Sequence, residues 1–113
     1  MRRLLLLLFV IGSAFGADVT VKGHLIDAVC GSGLARRGHS GAAHARTCLR
    51  SPACSEGGYG VLTDDKRFII FDPDGNEKAR KFIEGISKET DIQVNVTGAV
   101  DGNKMTVSKI ELQ

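Results

Sequence analysis

Residues 92–112 read IQVNVTGAVDGNKMTVSKIEL, and the fold turns on them. Ile92, Val94 and Val96 alternate with Gln93 and Asn95, the period of a strand with one buried face. Asp101-Gly102-Asn103 supplies a hairpin turn. In the returning strand Met105 and Val107 share one parity, while Ile110 and Leu112 share the other. One extra residue near Ser108, a β-bulge, reconciles the two.

Upstream, Ala79, Phe82, Ile83 and Ile86 fall at i, i+3, i+4 and i+7, one apolar stripe on a charged helix. Asp74 and Glu77 have the spacing of a capping box, and Gly85 offers a place for the helix to approach a sheet closely. Asp72-Pro73-Asp74-Gly75 reads as a turn before it. Gly60–Thr63 and Arg67–Phe71 form a hairpin around Asp64-Asp65-Lys66. Asp18–Asp27 alternates as a first strand, with Gly23 marking a bend. The order is therefore strand, long insert, hairpin, helix, hairpin. It resembles the OB-fold, a five-stranded Greek-key barrel with a helix between its third and fourth strands. Gly23 and the stretch Val94-Asn95-Val96-Thr97-Gly98 look like that fold's curled strands. The resemblance implies a mainly-β domain with one or two helices, closed as an OB-like barrel. A small open α+β sandwich is the alternative.

The insert, residues 28–57, differs in composition. It holds all three cysteines (Cys30, Cys48 and Cys54), two of the three histidines (His39 and His44) and Arg36, Arg37, Arg46 and Arg50. Ser40 is placed to cap a short helix through Ala42–Leu49 that stops before Ser51-Pro52. Loops longer than about 12–15 residues without structure of their own are uncommon, so the insert is expected to be stapled or functional.

Three cysteines allow one internal disulfide and leave one thiol. Cys48 and Cys54 are close enough in sequence for a local bridge. Cys30 paired with either would tie the first strand to the insert, a longer loop worth about 3 kcal/mol in the chain-entropy model. The longer bridge is the preferred expectation. The alternative is a metal site. His44 and Cys48, four apart, would share one face of a helix, and with Cys30 and Cys54 they make a nitrogen/sulfur set suited to zinc or copper. No Cys-x2–4-Cys knuckle of the zinc-finger kind is present, which ranks the metal site second. Cys-x-x-Cys is absent too, so no thioredoxin-like pair is written locally. No constellation supports a catalytic assignment. Gly31-Ser32-Gly33 completes neither a dinucleotide nor a phosphate-loop motif. Tyr59, Arg46 and His39 are the candidate ligand-facing side chains, Tyr59 because it follows Gly57-Gly58.

The first sixteen residues, MRRLLLLLFVIGSAFG, have the layout of a secretory signal peptide: Arg2 and Arg3, an apolar run from Leu4 to Ile11, then small residues at Ala14 and Gly16. The run is too short for a spanning helix, which needs about 20 residues. Residues 17–113 are expected as one domain in the periplasm or secreted, with no stable membrane insertion after cleavage. Arg2 and Arg3 also account for the whole net charge of +2. A balanced remainder with 5% aromatic residues and no tryptophan argues against a nucleic-acid partner.

His44-x3-Cys48-x5-Cys54, Gly58-Tyr59-Gly60-Val61 and Phe71-Asp72-x2-Gly75-Asn76 resemble a group of small exported bacterial proteins of uncharacterised function. That resemblance implies export and the domain limits, and transfers no ligand or catalytic residue. The leading expectation is a disulfide-stabilised, non-enzymatic binding domain without a cofactor, whose ligand or partner protein lies outside the cytoplasm. A metal-binding (zinc or copper) or thiol-redox protein is the competing one.

Overall fold

The computed structural model describes residues 17–113; the expected signal peptide, 1–16, lies outside them. Strand β1 (Val19–Asp27) organises the rest. Its residues Val19–His24 pair antiparallel with β4 (Gln93–Asp101), and Gly23–Asp27 pair with β2 (Tyr59–Thr63). The two ladders overlap at Gly23 and His24. A side chain at Gly23 would sit 2.3 Å from the Leu62 carbonyl oxygen, so the strand can bend there only as glycine.

From β2 the chain turns through Asp64-Asp65-Lys66, with Lys66 at φ 67°, into β3 (Phe68–Phe71). β3 then meets β5 (Lys104–Leu112) in a short parallel ladder, Ile70 to Lys104 and Phe71 to Met105. β4 and β5 form the hairpin expected from residues 92–112. Thr97 pairs with Lys109 and Gly98 with Val107, so Ser108 is the extra residue, at the position where the parity changes. The pairing runs β1-β2-β3-β5-β4 and returns to β1. It is a mixed five-stranded sheet.

Four helices accompany it among the described residues, where one or two are expected: α1 (Ala28–Arg37), α2 (Arg46–Arg50), α3 (Pro52–Ser55) and α4 (Pro73–Gly85). α4 carries the apolar stripe, with Ala79 and Ile83 buried and Phe82 and Ile86 flanking them. Its start differs from the expected turn and capping box. Asp72 is the N-cap, accepting hydrogen bonds from the amides of Gly75 and Val107, each at 3.1 Å, and Pro73 opens the helix. Glu77 pairs instead with Arg80. Nothing lies within 4 Å of a side chain built at Gly85, so that glycine does not serve close packing.

The insert is more helical than its composition suggests. α1 follows β1 without a loop, and the expected helix over Ala42–Leu49 is replaced by a turn and the shorter α2. Ser40 accepts a hydrogen bond from the Ala42 amide in that turn. Inside the strands, Leu25, Val61, Ile69, Val94, Val96 and Met105 form the main core, closed by α4 and by Leu49 and Tyr59. On the outer face of β1, β2 and β3, Ile26, Leu62 and Phe68 make a second cluster, covered by Ala28, Cys30, Leu34 and Ala35 of α1. A methyl group at Gly31 would lie 2.2–2.6 Å from the Phe68 ring, so α1 seats directly on that ring.

Candidate metal centre

Asp27 ends β1, has no solvent exposure, and is the N-cap of α1. A buried carboxylate needs partners, and two of them are nitrogen donors. Its Oδ2 accepts a hydrogen bond from the Cys30 amide at 3.0 Å, and its Oδ1 accepts one from His44 Nε2 at 2.7 Å. Burial pushes the Asp27 carboxyl upward. The hydrogen bonds from His44 and the Cys30 amide, with the charge of His44, outweigh burial and hold it below the ordinary carboxylate value.

Two thiols complete the cluster. Cys30 lies in the first turn of α1, and Cys48 Sγ on α2 stands 3.9 Å from Asp27 Oδ1. One donor atom from each of Asp27, Cys30, His44 and Cys48 lies within 4.8 Å of the other three. A fifth group touches this set: Cys54 Sγ, on α3, is 2.9 Å from Cys48 Sγ. The contact with Cys54 is the main cause of a Cys48 pKa raised to about 12, and burial and the Asp27 carboxylate add to it. Burial, followed by the Asp27 charge, raises Cys30 as well. In the metal-free protein both thiols therefore keep their protons at neutral pH. A divalent cation among them reverses that preference, because its charge favours thiolate.

The scaffold fixes each donor by a different device. Gly41 lies against His24 and Ile26, where a side chain would come within 2.7–2.8 Å of both, and this close approach brings His44 over the end of β1. The segment is pinned to residues 86–91. The Arg46 amide donates to the Glu89 carbonyl and the Asp91 amide to the Ala42 carbonyl, both at 2.8 Å. The Arg46 guanidinium reaches the Ile86 carbonyl at 3.2 Å and Glu89 at 3.1 Å. α2 is anchored by buried Leu49, whose carbonyl accepts from the Tyr59 hydroxyl at 2.7 Å. His44 itself is 13% exposed, so the cluster is sheltered but reachable from solvent.

Of the expected metal ligands, Cys30, His44 and Cys48 converge, and Cys54 adjoins them through Cys48. His44 and Cys48 do so without sharing a helix face, because His44 precedes α2. Sequence reasoning missed Asp27, although an aspartate directly before a new run of residues is a helix N-cap signal. No two cysteine sulfurs stand at disulfide bonding distance. The pair in contact is the local one, Cys48 with Cys54, while Cys30 and Cys48 share the four-residue cluster.

The remaining candidates are placed elsewhere. Tyr59 is 2% exposed and commits its hydroxyl to Leu49, so it does not present a ligand-facing surface. Arg46 is engaged with residues 86–89. His39 is exposed and lies outside the cluster. His24 pairs with Asp91 at 2.7 Å. Gly31-Ser32-Gly33 lies within α1. No helix among the described residues is long and apolar enough to cross a membrane. Compared with protein-family models, with curated proteins and with solved structures, the chain finds no match.

Proposed function

We propose that this chain is an exported zinc-binding domain, an OB-like barrel whose first strand and insert together hold the metal, through Asp27 from the strand and Cys30, His44 and Cys48 from the insert. The observation that carries the reading is the convergence of these four donor atoms within 4.8 Å, from two stretches of the chain, 27–30 and 44–48. One carboxylate, one imidazole and two thiols make a mixed donor set. Zinc accepts all three donor types in a tetrahedron, whereas the softer Cu(I) favours sulfur. Four protein donors fill that tetrahedron and leave no open position for a substrate, which favours binding or structural stapling over hydrolytic chemistry. The ladder order, together with α4 between the third and fourth strands, supports the OB-like assignment. The layout of residues 1–16 supports export to the periplasm or beyond, where a partner or ligand would be met.

Cobalt substitution tests the site. The reduced chain loaded with Co2+ should show the intense visible absorption of a tetrahedral ion and a thiolate charge-transfer band. Both should vanish in Cys48→Ser and weaken in His44→Ala. Weak octahedral absorption, unchanged in Cys48→Ser, would overturn the proposal. Preferential retention of Cu(I) over zinc in competition would reassign the metal.

A further inference from the structure

Cys54 stands outside the four-donor group yet touches one member of it, Cys48, at a sulfur–sulfur separation of 2.9 Å. Both thiols are partly exposed and belong to consecutive helices separated only by Ser51. For a disulfide the two sulfurs must close to about 2.05 Å, a movement smaller than the flexing of two cysteine side chains. A zinc tetrahedron cannot use a sulfur engaged in a disulfide, since the ligand is the thiolate.

Resting on the zinc reading above, we infer that Cys54 is a redox gate: oxidation of Cys48 with Cys54 to a disulfide withdraws one ligand and releases the metal. The oxidant required is a small-molecule disulfide or an oxidised dithiol protein, the class of reagent found in oxidising compartments. Cys54, which is not a ligand in the resting site, is the attacking sulfur. Its thiolate opens the oxidant RS–SR to give a Cys54–SR mixed disulfide and one RSH. Cys48 then attacks Cys54, leaves the zinc and expels the second RSH. The balance is Cys48–S− with Cys54–SH, RS–SR and one proton giving Cys48–S–S–Cys54 and two RSH. The protein thiols lose two electrons, the reagent gains them, and Zn2+ departs without changing oxidation state. Asp27, Cys30 and His44 remain as three donors, and a reductant restores the fourth.

The test uses the full chain, purified under reductant, loaded with zinc and exposed to oxidised glutathione, with a chromophoric chelator reporting the metal and peptide mass spectrometry mapping the bridge. The expected result is one Cys48–Cys54 disulfide per zinc released, with rebinding after reduction. In Cys54→Ser, and in Cys54→Ala as a second packing variant, zinc should still be bound. Its release by oxidised glutathione should slow by about tenfold or more, because the resolving partner is gone. Release from both variants at the wild-type rate, or a bridge mapped to Cys30–Cys48, would overturn the gate while leaving the zinc reading intact. A reduced wild-type chain that takes up no zinc would remove the zinc reading and the gate with it.

Discussion

Asp27 and His44, separated by seventeen positions in the chain, are joined by a 2.7 Å hydrogen bond in which the carboxylate is wholly buried. The same carboxylate caps α1 through the Cys30 amide. One side chain thus fixes the end of the first strand, the start of the first helix and the imidazole of the candidate centre. The fold and the site share a joint.

That joint sets the first prediction. In the metal-free, reduced protein, Asp27→Ala removes a helix cap, worth about 0.5–2 kcal/mol. It also strands the His44 donor, at a further cost of about 1–3 kcal/mol. Urea denaturation should show a loss of about 2–4 kcal/mol. A loss under about 0.5 kcal/mol, the range of an ordinary surface substitution, would contradict this role.

Two glycines two positions apart, on opposite sides of α1, should respond in opposite directions. Gly31→Ala drives a methyl group into the Phe68 ring and should destabilise the protein by about 1–3 kcal/mol, lifting α1 and Cys30 with it. Gly33→Ala meets only the flexible tip of Arg37, at 3.2 Å, and should stabilise α1 by about 0.5–1 kcal/mol. Thermal melts of the two variants check the sign of each.

How far the sequence discloses this architecture depends on where the information lies. The parity change between Val107 and Ile110 announces the bulge at Ser108, because burial on one face is a strictly local code. Gly23 likewise announces the bend in β1. Asp72 is harder to read: Pro73 and Gly75 look like turn residues, and only the tertiary contact to the Val107 amide reveals the cap. α1 is masked by Gly31 and Gly33, poor helix formers. One of them is required by the ring beneath it, a contact invisible in one dimension. For the site, residue types point to Cys30, His44 and Cys48. Asp27 escapes notice because its role depends on how the insert folds back over β1.

Tyr59→Phe isolates a single hydrogen bond. Removing the hydroxyl leaves the Leu49 carbonyl without its donor in a buried setting, at a cost of about 1–2 kcal/mol. The ring keeps its packing, so the denaturant slope in equilibrium unfolding should be unchanged while the midpoint falls. An unchanged midpoint would show that this bond does not anchor α2.

The His24–Asp91 pair should make stability depend on pH. The hydrogen bond from His24, supported by Gln93, holds the Asp91 carboxyl below its ordinary value. Between the folded and unfolded pKa values the unfolded chain binds more protons, so stability rises with pH across that interval. The contribution is complete above the ordinary carboxylate value of 3.8 and is lost as pH falls toward the lower folded value. Asp91→Asn should flatten this acid limb in denaturation curves measured below about pH 5. A limb as steep as that of the wild type would assign the acid sensitivity to other carboxylates.

The most direct test of the zinc centre is the native mass spectrum of the reduced chain after loading with a stoichiometric amount of zinc and desalting. The account predicts one zinc per chain, shared among Asp27, Cys30, His44 and Cys48, and a Cys48→Ser chain that emerges without metal. A wild-type spectrum without zinc, from a protein whose cysteines are verified as thiols, would contradict it.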